Sequence, residues 1–146
     1  MVQPGKSWTY LPVSTIPSAL DIVWCNFPTT EDPRLPSATP HPGLIRSVVL
    51  NKSHDKALVE ITFGTSKLKI EERPLDLIIQ NSASLDHCGL PKATRFDLDR
   101  TVTLPWAEEF FVVREGYNSR IIGSLDNDTR MQLEALKVLR RKPLRG

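Results

Sequence analysis

An arginine and an aspartate two residues apart, Arg95 and Asp97, are the residues of this chain most suited to chemistry. They lie in residues 93–102, whose alternating side chains predict a β-strand. On a strand, both side chains emerge on one face about 6.5 Å apart. A cation and a carboxylate at this separation can act as an acid–base pair on a phosphodiester. An exposed ion pair of this kind is more often only a surface salt bridge.

Two other stretches carry polar residues that could take part. His41 lies between Pro40 and Pro42 at the end of a proline-rich loop, and its imidazole suits acid or base catalysis near neutral pH. Thr65 and Ser66 follow Gly64 at a turn, where hydroxyl residues are common turn formers. The sequence has no phosphate-binding glycine loop, nucleophile elbow or metal-ligand cluster, so we predict no metal and no cofactor.

Composition favours one soluble, cytoplasmic domain. The chain has 146 residues, 40% hydrophobic and 25% charged, and no apolar run long enough for a membrane span. No secretory signal is visible, so Cys25 and Cys88 are predicted to be reduced and partly buried. The net charge is +2, and residues 137–146 are basic without any acid. A helix end followed by a solvated tail is favoured there over an RNA-binding arm.

The elements that position these residues are predicted from periodicity and turn signals. We expect an extended leader over residues 1–19, a single domain over residues 20–142 and a tail over residues 143–146. Within the domain, strands are predicted at residues 21–27, 43–50, 56–63, 75–79 and 93–102.

Several connections have less regular patterns. Residues 28–42 form a long loop, residues 85–91 a turn, and a fold-back is expected near residues 101–104. Residues 110–113 suggest a further strand. A final helix capped by Asp126 ends before Pro143. Short strands followed by one helix predict a mainly β fold, a small barrel-like sheet with a C-terminal helix.

The order of these pieces resembles the MazF/PemK family of toxin–antitoxin ribonucleases over about residues 20–140. In that family a strand, a loop ending in Arg-Pro, a Thr-Ser strand end, an Arg-x-Asp strand and a capped helix follow one another. The corresponding stretches here are Asp21-Ile22-Val23-Trp24, Pro40-His41-Pro42-Gly43-Leu44-Ile45, Gly64-Thr65-Ser66-Lys67, Arg95-Phe96-Asp97, Arg100-Thr101-Val102 and Gly123-Ser124-Leu125-Asp126.

The resemblance implies an SH3-like small barrel of the MazF/PemK/CcdB type that works as a homodimer. The implied activity is cleavage of single-stranded RNA without a metal, by attack of the ribose 2′-hydroxyl on the adjacent phosphate. Carried over by position, Asp97 is the base, Arg95 stabilises charge on the phosphate or leaving oxygen, and Thr65 and Ser66 hold phosphate oxygens. A cognate antitoxin would lay a disordered segment over Arg95 and Asp97.

One departure from the family bears on catalysis. His41 stands where the family usually has an arginine, so a titratable ring replaces a phosphate-gripping guanidinium. Arg34 or Arg46 can supply the missing cation, and Lys67 and Lys69 are further candidates for RNA binding. The alternative is a non-catalytic binding module on the same barrel, since the related gyrase-poisoning toxins act by protein binding.

Overall fold

The computed structural model describes residues 7–29 and 35–141. The strands are β1 (Asp21–Cys25), β2 (His41–Leu50), β3 (Ala57–Thr65), β4 (Leu77–Ile79), β5 (Thr94–Pro105) and β6 (Ile121–Ser124). The α-helices are α1 (Ser82–Cys88) and α2 (Asn127–Arg141), and a 3₁₀ turn spans Val13–Thr15. The strands pair antiparallel in the order β4-β5-β3-β2-β1-β6, so the fold is a curled, half-barrel sheet with a C-terminal helix. The predicted mainly β fold with a final helix is confirmed at this level.

Two apolar clusters lie on opposite faces of the sheet, because neighbouring strand residues point to opposite sides. Val23 and Ile45 belong to the first cluster, while Ile22 and Leu44 belong to the second. The first cluster is closed by Trp106, Phe110 and Phe111 and by Trp8 and Leu11 from the N-terminal segment. The second is closed by residues of both helices, including Cys88 and Leu133.

Two irregularities in strand pairing shape the sheet near the polar residues. Ile45 pairs with Ile61 and Ser47 with Glu60, so Arg46 has no cross-strand partner. On the other side of β3, Thr62 pairs with Thr101 and Gly64 with Phe96. Residues 97–100 of β5 therefore all lie opposite the single residue Phe63. Such bulges bend a strand and redirect side chains.

Three local predictions are wrong. The predicted turn at residues 85–91 contains most of α1, which begins after Asn81, whose side chain accepts from the Ser84 N–H at 2.8 Å. The fold-back expected near residues 101–104 does not form, because the bulge absorbs the irregularity and β5 continues to Pro105. Residues 110–113 are not a strand: Phe110 and Phe111 are fully buried in a turn with one bridge to Cys25.

The predicted cap of the last helix is confirmed. Asp126 accepts from the Thr129 N–H at 2.9 Å and from the Ser84 hydroxyl at 2.6 Å. These hydrogen bonds, from Ser84 first and then Thr129, lower the pKa of Asp126 to about 2. The same carboxylate thus begins α2 and ties it to α1.

Both cysteines are buried free thiols, one in each cluster. Burial raises the pKa of Cys25, and burial together with the nearby Asp126 charge raises that of Cys88 to about 11. Within the described residues, no helix combines the length and apolar character needed to cross a bilayer.

Gly89 ends α1 in the left-handed conformation with φ of 71°. A Cβ on Gly89 would lie 1.9 Å from the Ile122 carbonyl oxygen, whereas a Cβ on Gly116, which has φ of 92°, would meet nothing within 4 Å. Gly116→Ala is therefore expected to cost about 1 kcal/mol from backbone strain alone. Gly89→Ala should cost at least about 1 kcal/mol more, because α1 must also move away from β6. Urea unfolding followed by tryptophan fluorescence measures the free energy of unfolding of both variants. An equal loss of this free energy in the two variants would contradict the close packing of α1 on β6.

Candidate functional site

Arg95 is buried, not exposed as its strand pattern suggested. Its side chain is 8% accessible, and its Nη1 donates to Asp76 Oδ2 at 2.7 Å while its Nε donates to the Lys67 carbonyl at 2.9 Å. A guanidinium removed from water must be paired in this way. Asp97 Oδ2 is farther, at 3.9 Å from Arg95 Nη1. The expected exposure of Arg95 is thus wrong, because a carboxylate distant in sequence covers it.

Asp76 is the centre of a charge network that joins β4, β5 and α2. Besides Arg95, it accepts from Arg73 Nε at 2.8 Å and from the Leu98 N–H at 3.1 Å. Burial raises the pKa of Asp76, but the hydrogen bonds from Arg73, Arg95 and Leu98 outweigh burial and hold it below its usual range. The hydrogen bond to Asp76 first, and then that to Asp99, raise the pKa of Arg73.

The network contains equal numbers of opposite charges. Arg73 Nη2 donates to Asp97 Oδ1 at 2.7 Å and to Asp99 Oδ2 at 2.8 Å, and Arg140 of α2 donates to Asp99. The carboxylates of Asp76, Asp97 and Asp99 lie within 4.8 Å of one another, a grouping that can suit a cation. Each, however, already accepts from a guanidinium, so the arginines of the protein compensate the acidic charge.

His41 and Ser66 meet in a separate cavity, the His41 cleft, of about 150 Å³. The cleft lies where β2 begins, β3 ends and β5 begins. Its lining residues are Trp24, Pro40, His41, Pro42, Ser66, Pro91, Lys92, Thr94 and Arg114. Gly64 permits the close approach of β2 and β3 here, since a Cβ would lie 2.6 Å from the Pro42 carbonyl oxygen.

The charges of two arginines, each stacked on an aromatic ring, act on His41. Its imidazole packs on Phe63 with ring centroids 4.8 Å apart. Arg100 lies 3.9 Å from the centre of the Phe63 ring, and Arg114 lies 4.2 Å from that of Trp24. Burial first, and then the charges of Arg100 and Arg114, lower the pKa of His41, although a hydrogen bond with the Gly64 backbone opposes them. Burial and the neighbouring charges thus favour the neutral imidazole.

Trp24 lines the same cleft and carries a buried donor. It is 2% exposed, and its indole Nε1 has no hydrogen-bond partner among the residues that the structure describes. A buried N–H without a partner costs free energy, so this indole lowers the stability of the folded state.

The other predicted site residues are dispersed. Thr65 is buried, and its hydroxyl accepts from the Lys67 N–H at 3.2 Å. Lys69 is exposed and adopts φ of 44°. Arg46 belongs to a different groove beside α2. Arg34 lies outside the described residues.

Three important residues escaped sequence reasoning: Asp76, Lys92 and Arg114. Asp76 is an acid directly before an apolar strand, which is the only local signal of a buried ion pair. Lys92 and Arg114 lie on connections, where spacing carries little information.

Comparison with known proteins does not assign the chain to a family. A scan against protein-family models gives no match for this chain, and no curated protein is significantly similar to it in sequence. The cleft and the charge network are therefore interpreted from their own residues.

Proposed function

We propose that this chain is a MazF/PemK-like endoribonuclease that cleaves single-stranded RNA in the His41 cleft. The observation that carries the proposal is that one cavity is lined by an imidazole, two cations and a hydroxyl: His41, Lys92, Arg114 and Ser66. A base next to fixed cations is what internal attack by a ribose hydroxyl requires. The nucleophile comes from the RNA, so the protein needs none.

The proposed step is a transesterification. His41 takes the proton of the 2′-hydroxyl, the 2′-oxygen forms a bond to the adjacent phosphorus, and the bond from phosphorus to the 5′-oxygen breaks. The leaving 5′-oxygen takes a proton from water and the His41 imidazolium returns its proton to solvent, which leaves a 2′,3′-cyclic phosphate and a 5′-hydroxyl. Arg114 and Lys92 stabilise the negative charge that grows on the phosphate oxygens. The Ser66 hydroxyl is a donor that can orient them.

This assignment moves the base from Asp97 to His41. Asp97 accepts from Arg73 at 2.7 Å, and Arg95 is held by Asp76 and the Lys67 carbonyl. Under the proposal these residues keep the ends of β3 and β5 in place beside the cleft. Lys67 and Lys69, which follow β3 directly, remain candidates for RNA contact.

The proposal includes the partners that the family resemblance implies: a homodimer and a cognate antitoxin in the cytoplasm. An antitoxin segment that inhibits the enzyme would have to cover the His41 cleft. Sedimentation of the purified chain, alone and after co-expression with the product of the neighbouring reading frame, measures both associations.

A non-catalytic binding module is the second candidate. The observation that favours it is that the Arg95 guanidinium is already bound within the protein, since it donates to Asp76 and to a backbone carbonyl. Together with His41 in place of the family arginine, this reduces the number of cations free to act on a phosphate. The cleft would then bind RNA or a protein without cleaving it.

Matched RNA and DNA oligonucleotides of one sequence distinguish the two functions. The RNA is expected to be cut, in EDTA as well as in its absence, with cyclic phosphate at the new 3′ end. The DNA should remain intact because it lacks the 2′-hydroxyl. RNA that is bound but never cut would support the binding module. DNA cut as fast as RNA would overturn the proposed mechanism.

A further inference from the structure

A second basic cavity, the Arg46 groove, lies beside the C-terminal half of α2. It has a volume of about 290 Å³ and is lined by Arg46, Leu98, Lys137, Arg140 and Arg141. None of these residues lines the His41 cleft. Arg46 lies at the bulge of β2 and lines the groove together with Lys137, Arg140 and Arg141 of α2. The groove is thus formed by one strand, the β5 bulge and one helix.

Arg46 reaches this groove because of the irregular pairing of β2. It has no cross-strand partner, and its Nη1 donates to the Thr62 hydroxyl at 3.2 Å. The Thr62 hydroxyl is in turn 2.7 Å from that of Thr101. Neutral hydroxyls therefore orient the guanidinium without cancelling its charge, and the remaining N–H groups can bind an anion.

The charges around the groove do not balance. Arg140 is paired with Asp99 within the charge network, and Lys137 donates to Glu134 at 3.0 Å. Among residues 7–29 and 35–141, no carboxylate forms an ion pair with Arg46 or Arg141. The groove therefore carries two uncompensated guanidiniums, one on each side, and guanidiniums bind phosphate in a bidentate manner.

We propose that the Arg46 groove binds the phosphodiester backbone of single-stranded RNA, as an anchoring site separate from the cleft. The identity of the polyanion rests on the proposed function. Among the residues that the structure describes, the groove lining includes no aromatic ring on which a base could stack, so the proposed contact is to backbone and independent of sequence. Its one apolar side chain, Leu98, offers little area to an acidic peptide that needs hydrophobic anchors.

The salt dependence of RNA binding tests this site. The ligand is a 2′-O-methyl RNA of about 16 nucleotides, which cannot be cleaved, and affinity is measured by fluorescence anisotropy over a range of salt concentrations. Arg46→Gln and Arg141→Gln should each reduce the slope of log K against log salt by about 0.7, and the double variant by about 1.4. Lys52→Gln removes the same charge from the exposed β2–β3 turn and should leave the slope unchanged.

The outcomes separate this inference from the proposed function. Because the ligand cannot react, lowered slopes support the groove even if ordinary RNA proves not to be cut. If Arg46→Gln and Arg141→Gln give the same salt slope as Lys52→Gln, the groove is not an RNA site, whether or not the cleft cleaves RNA. Unchanged RNA binding together with Arg46-dependent binding of a Glu-rich, Leu-containing peptide would also overturn it and assign the groove to a protein partner. Circular dichroism of each variant confirms that it is folded.

Discussion

Asp76→Asn is expected to destabilise the protein by about 3–5 kcal/mol. The side chain of Asp76 is 1% exposed and accepts from Arg95 and Arg73, so its loss leaves a buried guanidinium without its counter-charge. Asp97, at 3.9 Å from Arg95 Nη1, compensates only in part. Urea unfolding at pH 7 measures the loss.

Asp99→Asn is the matched control, because its side chain is 59% exposed and its pairs with Arg73 and Arg140 are close to solvent. It should cost no more than about 1 kcal/mol. The double variant Asp76→Asn/Arg95→Met should lose less stability than the sum of the single changes, since no unpaired charge remains. A loss below about 1 kcal/mol for Asp76→Asn would contradict the role of Asp76 as the centre of the network.

At acidic pH, the free energies of unfolding of the wild type and Asp76→Asn should become more similar. The pKa of Asp76 in the folded state is lower than in the unfolded chain, so its contribution is complete above the unfolded value of about 3.9. This contribution to stability is lost as the pH falls through the pKa of Asp76 in the folded state, because the carboxylate is then protonated in both the folded and the unfolded chain. The same unfolding experiment, repeated below pH 4, follows this loss.

His41→Gln is expected to lower kcat/KM for RNA cleavage by about 10²–10⁴-fold, the usual contribution of a general base. Glutamine retains polarity and approximate size but cannot accept the 2′-hydroxyl proton. His54→Asn is the control, since His54 is exposed on the β2–β3 turn with φ of 57°, a conformation that Asn tolerates. Initial rates with a labelled RNA measure both variants, and cleavage by His41→Gln at the wild-type rate would remove His41 from the mechanism.

The pH profile offers an independent test of the same residue. Burial lowers the pKa of His41 below 6.5, so the base form predominates at neutral pH. kcat/KM should therefore rise with pH through a pKa below 6.5 and then reach a plateau. In His41→Gln this acid limb should be absent, and its persistence would assign the titration to another group.

Local sequence patterns were enough to place most of the fold. Alternation in the first half of β3 and the Asp126 cap are properties of a few neighbouring residues, so they can be recognised without tertiary information. The course of β5 could not be inferred in this way. Its continuation past residue 100 depends on pairing with Leu58–Thr62, residues that are about forty positions earlier in the chain.

The candidate site was less predictable for the same reason. The spacing of Arg95 and Asp97 suggests a mutual pair, but the stronger partner of Arg95 is Asp76, nineteen residues away. No periodicity connects an acid before β4 with a cation on β5. His41 and Ser66 were recognised as candidates, yet their common cleft includes Lys92 and Arg114 from connections whose course is set by the whole sheet.

The division of the core by the sheet has a consequence for hydrogen exchange. An opening that lifts α1 and α2 away would expose the second cluster, around Ile22 and Leu44, but leave the first cluster covered by the aromatic residues near Trp106. Backbone amides should therefore form two protection classes: those of the helices, released by such partial openings, and those at the centre of β2 and β3, released only by global unfolding.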